Sequence, residues 1–178
     1  VSIGNPLEDE DVDMGPLIDE EGAEEIEKAH EDAVEKGAQP LIDFERNGNY
    51  VTPTLLEVDK EILSDLDAFS EEVFGPLSLL IEAEDEDEAV KLANSTKFGL
   101  DASVFGRDET KIRKVARKLE VGAVFVNEYP RHGIGYYPFG GMKCSGIGRE
   151  GVGYSIKQLT TTKTIVHNFK GTGVWDYT

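Results

Sequence analysis

Apolar residues along the chain follow two rhythms, a three-and-four spacing and short runs, and the two predict different elements. Ala23, Ile26, Ala29, Ala33 and Val34 recur at three and four opposite a face rich in Glu, which predicts an amphipathic helix capped by Asp19 and stopped by Gly37. Ahead of it, residues 1–18 carry Gly4, Pro6, Gly15 and Pro16 among acids and read as an irregular entry segment. Behind it, apolar, β-branched runs at 40–44 and 51–58 predict strands, with Asn47-Gly48 between them as a turn signal. Residues 77–81 form the near-continuous apolar run expected of a strand buried on both faces. Asp85 with Glu88 three later predicts a capping box for a short helix burying Ala89, Leu92 and Ala93. The acids at 82–88 then read as a solvated helix start that complements the helix dipole.

The second half repeats the alternation. Residues 102–105 predict a strand, Asp108 caps a helix whose Ile112, Val115, Ala116 and Leu119 face a core, Gly122 ends it, and 123–126 is the next strand. Strands and helices alternating at this spacing predict an α/β fold, a parallel sheet flanked by helices with right-handed crossovers. Residues 133–153 break the pattern with eight glycines, a density that permits tight turns and close backbone approach to a ligand. Residues 160–167 alternate and predict a lone β-strand.

Composition narrows the classes. The 178 residues, 19.6 kDa, are enough for one core and read as one unit. No apolar run approaches the roughly 20 residues of a membrane-spanning helix. The chain opens Val1-Ser2-Ile3-Gly4, with no initiator Met, basic region or apolar leader, so a fragment without a targeting segment is expected. The single cysteine, Cys144, excludes an intramolecular disulfide framework and suits a reducing cytoplasm. Asp and Glu number 36 against 18 Lys and Arg, and the resulting −18 charge repels nucleic-acid phosphates and anionic membranes. An acid excess of this kind also suits a surface adapted to concentrated salt, where self-repulsion is screened.

Several motifs invite chemistry. Gly146-Ile147-Gly148-Arg149-Glu150-Gly151 fits G-x-G-x-x-G, but Pro138 to Ser145 is no apolar strand and no βαβ unit follows, so a dinucleotide fingerprint is rejected there. Asp9, Asp11, Asp13 and Glu20 fall at calcium-loop positions, yet Met14 stands where the sharp turn needs Gly and Pro16 follows. Cys144 has Lys143 and Arg149 as cationic neighbours, but no His among His30, His132 and His167 is placed beside it by sequence, and an incidental thiol is the better reading. One Cys and three scattered His make no zinc cluster, so no metal is expected. Glu71-Glu72-Val73-Phe74-Gly75-Pro76 sets two acids and an aromatic ring before a strand, where α/β sheets gather ligands; a turn with exposed acids and a core Phe is the alternative.

Read in order, GNPLEDEDVDMGPLID at 4–19, EEVFGP at 71–76, ANSTKFGLDASVF at 93–105, VGAVFVN at 121–127 and PFGGMKCSGIGREG at 138–151 closely resemble the C-terminal portion of the NAD(P)-dependent aldehyde dehydrogenase superfamily. In that family a Cys attacks the aldehyde, hydride passes to NAD or NADP, and a general-base Glu activates the water that releases the acid. The resemblance places both of those residues upstream, so Cys144 is not the nucleophile and the segment alone is expected to be inactive. By resemblance, Glu72 matches the family Glu on the nicotinamide ribose and Phe74 the aromatic beside the nicotinamide ring. Phe139 matches an aromatic in the substrate funnel, Glu150 an acid proposed to relay protons, and Asn127 a structural Asn at a strand end.

The resemblance also implies a division into 1–153, the end of the catalytic domain, and 154–178, a terminal helix and oligomerisation strand. Residues 160–167 are similar to the family strand that extends a neighbouring subunit's sheet, which implies a homo-oligomer, dimer or tetramer. The tail from Tyr154 to Lys163 resembles non-phosphorylating glyceraldehyde-3-phosphate dehydrogenases, and archaeal lactaldehyde enzymes share the PFGGMK-SGIGREG form. Arg131 is a candidate phosphate ligand, with a solvated arginine as the alternative. Glyceraldehyde 3-phosphate, lactaldehyde, succinate semialdehyde and betaine aldehyde all stay open as substrates.

Overall fold

A computed structural model of the chain describes residues 1–131 and 137–167. His132, Gly133 and Gly135, and the part of the expected terminal element after His167, lie outside the described residues. The chain gathers into two compact units rather than the one expected from its length: Val1–Lys97 with Arg113–Leu119, and Phe98–Ile112 with the described residues from Glu120 onward.

The first unit is built on helix α1 (Glu20–Glu35), which starts where Asp19 accepts a hydrogen bond from the Gly22 amide at 2.9 Å. Gly37, at φ +109°, ends it in a conformation that costs a residue with a Cβ. Ala23, Ile26 and Ala33 are buried as the spacing predicts, whereas Val34 is exposed. Strand β1 (Gln39–Pro40) pairs antiparallel with β4 (Thr54–Glu57), which pairs in parallel with β5 (Leu77–Leu80). Between β1 and β4 stands a hairpin, β2 (Arg46–Asn47) and β3 (Tyr50–Val51), turning at Gly48 as the Asn-Gly signal requires. The expected strand at 51–58 is therefore cut in two, and Pro53, with no amide to donate, sits at the cut.

A 3-10 turn (Leu63–Asp65) and the short helix α2 (Asp67–Ser70) carry the chain from β4 to β5. Leu56, Leu63, Leu66, Val58, Ala33 and Ala38 form the core beneath them. Strand β5 is not buried on both faces: half-buried and exposed residues alternate along it, Leu77 and Leu79 packing against the core while Leu80 on the other face is 46% exposed. Helix α3 (Glu86–Asn94) is capped by Asp85, which accepts from the Asp87 and Glu88 amides at 2.9 and 2.8 Å. Glu88 reaches back to the Glu84 amide at 2.6 Å, one residue before the position of a strict capping box. The helix buries Val90 and half-buries Leu92, while Ala89 and Ala93 face out; the larger side chains gain more from burial.

In the second unit β6 (Asp101–Val104) and β7 (Ala123–Val126) pair in parallel; the chain between them forms helix α4 (Glu109–Lys118), whose residues from Arg113 onward count with the first unit. The strand–helix–strand pattern is thus present twice among the described residues, each time with a parallel pair of strands, β4 with β5 in the first unit and β6 with β7 in the second. Helix α5 (Tyr154–Leu159) follows the glycine-rich segment. Residues 160–167, expected as a strand, form no strand in the single chain and are exposed.

Candidate functional site

The 71–76 loop is fixed at both ends. At its start the Glu71 amide donates to the Asp67 carbonyl at 2.8 Å, and the Lys97 ammonium holds both Glu71 carboxylate oxygens at 2.7 and 2.6 Å. At its end the Pro76 carbonyl accepts from the Thr54 amide at 2.8 Å, which ties the loop to β4. Gly75 lies against the buried Ile26, where a Cβ would come within 2.4 Å of Cδ1. Between these anchors Glu72 is exposed and makes no ion pair among the described residues, and the Phe74 ring is 80% exposed. The alternative of a core Phe is thereby excluded in this chain. Phe74, Glu72, Asp67, Glu25 and Ala29 border an open depression of about 380 Å³ beside α1.

The second unit carries Phe139, Glu150 and Arg131. Phe139 and Glu150 are joined main chain to main chain, each amide donating to the other's carbonyl at 3.0 and 2.7 Å. Phe139 is half-buried and the Glu150 side chain faces solvent. The Arg131 guanidinium is paired with Glu128 at 3.1 Å and lies 5.7 Å from the Tyr129 ring centroid. Asn127 stands at the end of β7 at φ +52°, and its Oδ1 accepts from the Gly106 amide at 2.8 Å. Sequence reasoning brought these residues into one list; the structure brings Phe139 to Glu150 and Glu72 to Phe74, one pair in each unit.

Two readings change. Arg149, weighed as a cationic neighbour of Cys144, spends its guanidinium on the Gly141 and Gly148 carbonyls at 2.9 and 2.6 Å. The glycines of this segment approach the protein's own backbone: a Cβ at Gly122 would stand 1.8 Å from the Gly140 carbonyl oxygen, and one at Gly141 would stand 2.4 Å from Ser145. The Gly146 to Gly151 run follows a 3-10 turn (Lys143–Ser145), as its rejection as a fingerprint anticipates, and Cys144 is exposed in that turn. Of the calcium-loop acids, Asp13 accepts from the Ser2 amide and hydroxyl at 2.8 and 3.0 Å, and Asp9 from the Asp11 amide. Sequence reasoning missed Lys97 altogether, because a lysine 26 positions from its partner leaves no spacing signal.

The model of the aldehyde dehydrogenase family matches residues 1–165. The chain belongs to the aldehyde dehydrogenase family. A lactaldehyde dehydrogenase of Methanococcus vannielii is 40% identical over 168 residues, 93% of this chain and 35% of that protein. Aldehyde dehydrogenase 21 of Physcomitrella patens, in complex with the reaction product succinate, is 38% identical with a TM-score of 0.88, covering 97% of this chain and 35% of the other. The glyceraldehyde-3-phosphate dehydrogenase of Methanocaldococcus jannaschii, complexed with NADP, is 39% identical with a TM-score of 0.84, covering 93% and 35%. This aldehyde dehydrogenase family chain thus spans about a third of the length of the relatives it matches. Among its described residues no helix is long and apolar enough to cross a membrane.

Proposed function

We propose that the chain is the C-terminal portion of an NAD(P)-dependent aldehyde dehydrogenase that oxidises a small aldehyde to its carboxylic acid. The observation that carries this reading is the anchored 71–76 loop, which presents a carboxylate and an aromatic ring outward from a fixed base. A carboxylate such as Glu72 accepts hydrogen bonds from a ribose diol, and a ring such as Phe74 packs beside a flat heterocycle. These residues fit the nicotinamide end of NAD or NADP and not its pyrophosphate. Helix α1, whose start borders a second depression shared with Phe74, opens with Glu20 and Glu21 and repels phosphate. The bound dinucleotide supplies the hydride acceptor, and this segment's part is to orient it.

On the substrate side the reading uses Phe139 as a funnel wall and Glu150 as a proton relay. Arg131 is exposed and its pair with Glu128 is a surface one worth little, so a phosphate can replace that carboxylate, and lactaldehyde and glyceraldehyde 3-phosphate both fit this reading. The nucleophilic Cys and the general-base Glu belong, on this reading, to a longer chain in which 1–153 ends the catalytic domain and 154–178 supplies a terminal helix and oligomerisation strand. The single cysteine supports a cytoplasmic setting and the −18 charge a salt-rich one. A second reading, a split and purely structural piece, is favoured by the exposure of Val152, Ile156 and Leu159, apolar surface that a partner has to cover.

Titration of NADP into the full-length protein, followed by fluorescence, separates the two. Glu72→Gln is expected to weaken dinucleotide binding roughly tenfold, the worth of one charge-assisted hydrogen bond. Unchanged affinity overturns the dehydrogenase role of the loop and leaves the structural reading.

A further inference from the structure

We propose that Lys97 is a positioning residue for the dinucleotide, acting through Glu71 to hold the 71–76 loop in its presenting conformation; this rests on the reading of Glu72 and Phe74 as cofactor contacts. Glu71 follows α2 directly, and its main chain is held there by a single bond to the Asp67 carbonyl. The far end of the loop has the Gly75–Ile26 contact and the Pro76 link to β4. The near end relies on the Lys97 ammonium, which reaches from the turn after α3 to both Glu71 oxygens at 2.7 and 2.6 Å. Both side chains are about half exposed, 45% and 63%, so the pair contributes little to global stability. Its effect is local and twofold. It fixes the peptide preceding Glu72, and it neutralises the carboxylate adjacent to the one that has to meet an anionic dinucleotide.

The experiment uses the full-length protein with Lys97→Met, Lys97→Arg, Glu71→Gln and the Lys97→Met/Glu71→Gln double variant. It reads NADP KM against kcat, together with hydrogen exchange at the Glu71 and Gly75 amides without cofactor. Lys97→Met is expected to raise KM roughly two- to fivefold with little change in kcat, and to speed exchange at Glu71. Arginine is expected to restore both, and the double variant to be no weaker than either single one. Additive effects, or unchanged KM and exchange in Lys97→Met, overturn the proposal. If Glu72→Gln is itself without effect on dinucleotide binding, the underlying reading fails, and the cofactor-positioning role fails with it. The exchange arm then reports separately whether Lys97 holds the loop.

Discussion

The 71–76 loop and the 138–151 segment carry motifs of similar density, and the structure uses them in opposite ways. In the first, the backbone is pinned so that side chains project: Gly75 and Pro76 secure one end, Lys97 the other, and Glu72 and Phe74 are left facing out. In the second, side chains and glycines together secure a backbone. Arg149 donates to two carbonyls, the Ser145 hydroxyl accepts from the Gly99 amide at 2.9 Å, and Gly122 admits the Gly140 carbonyl. A conspicuous residue type therefore does not by itself mark a ligand contact. Glycine in the second segment answers to the chain's own crowding, and arginine there is already committed.

The largest effect that tests this contrast is at Gly122. With a Cβ 1.8 Å from a backbone oxygen, nothing flexible can yield, and Gly122→Ala is expected to destabilise the second unit by about 3 kcal/mol. Gly146→Ala, at φ +129° but with open space around it, suffers backbone strain alone and is expected to cost about 1–2 kcal/mol. Urea unfolding of the two variants decides: equal midpoints would show that φ, and not close approach, is what these glycines serve. Asn127 gives a smaller version. Asn127→Ala loses the bond from the Gly106 amide and keeps the unfavourable φ of +52°, a cost of about 2 kcal/mol, whereas Asn127→Gly relieves the φ and is expected to recover about half of it. The same unfolding midpoints check it.

What was legible in the sequence follows from how local its cause is. The caps at Asp19 and Asp85 and the turn at Gly48 are decided within a few residues, and all three form as read. The 77–81 run is near-continuously apolar, but burial of a strand's second face depends on what packs over that face, and only the Leu77 and Leu79 side meets the core. The helix face at 89–93 was misread because two alanines matched the spacing as well as Val90 did, and only packing distinguishes them. Residues 160–167 carry strand alternation with no partner strand among the described residues, and alternation alone forms no ladder. At the candidate site, Glu72 and Phe74 could be singled out by residue type in a short motif. Lys97 could not, since its role exists only once α3 brings residue 97 to residue 71.

The smallest expected effect concerns the surface ion pairs of the first unit. The Lys118 ammonium at 2.5 Å, with Lys114 beside it, holds the Asp87 carboxyl below the usual carboxylate range. The Glu84 amide and then Lys60 do the same for Glu88, and Lys36 does so for Asp32. In turn, Glu88 raises Lys60 and Asp32 raises Lys36 above the usual amine range. A carboxyl lowered on folding stabilises the fold above its unfolded pKa, and that contribution disappears as pH falls through the lower folded value. A lysine raised on folding stabilises below its unfolded pKa, and the contribution disappears as pH rises through the higher folded value. The pairs therefore support a plateau that declines below the carboxylate range and again above the amine range. None of these groups is buried, with Asp87 exposed and Asp32, Lys60 and Glu88 half-buried, so salt screens them and the slopes are shallow. Asp87→Asn is expected to flatten the acid limb of a stability–pH curve at low salt and to leave it unchanged in concentrated salt. An acid limb equally steep with and without Asp87 would assign acid sensitivity to other carboxylates, Asp13 on Ser2 among them.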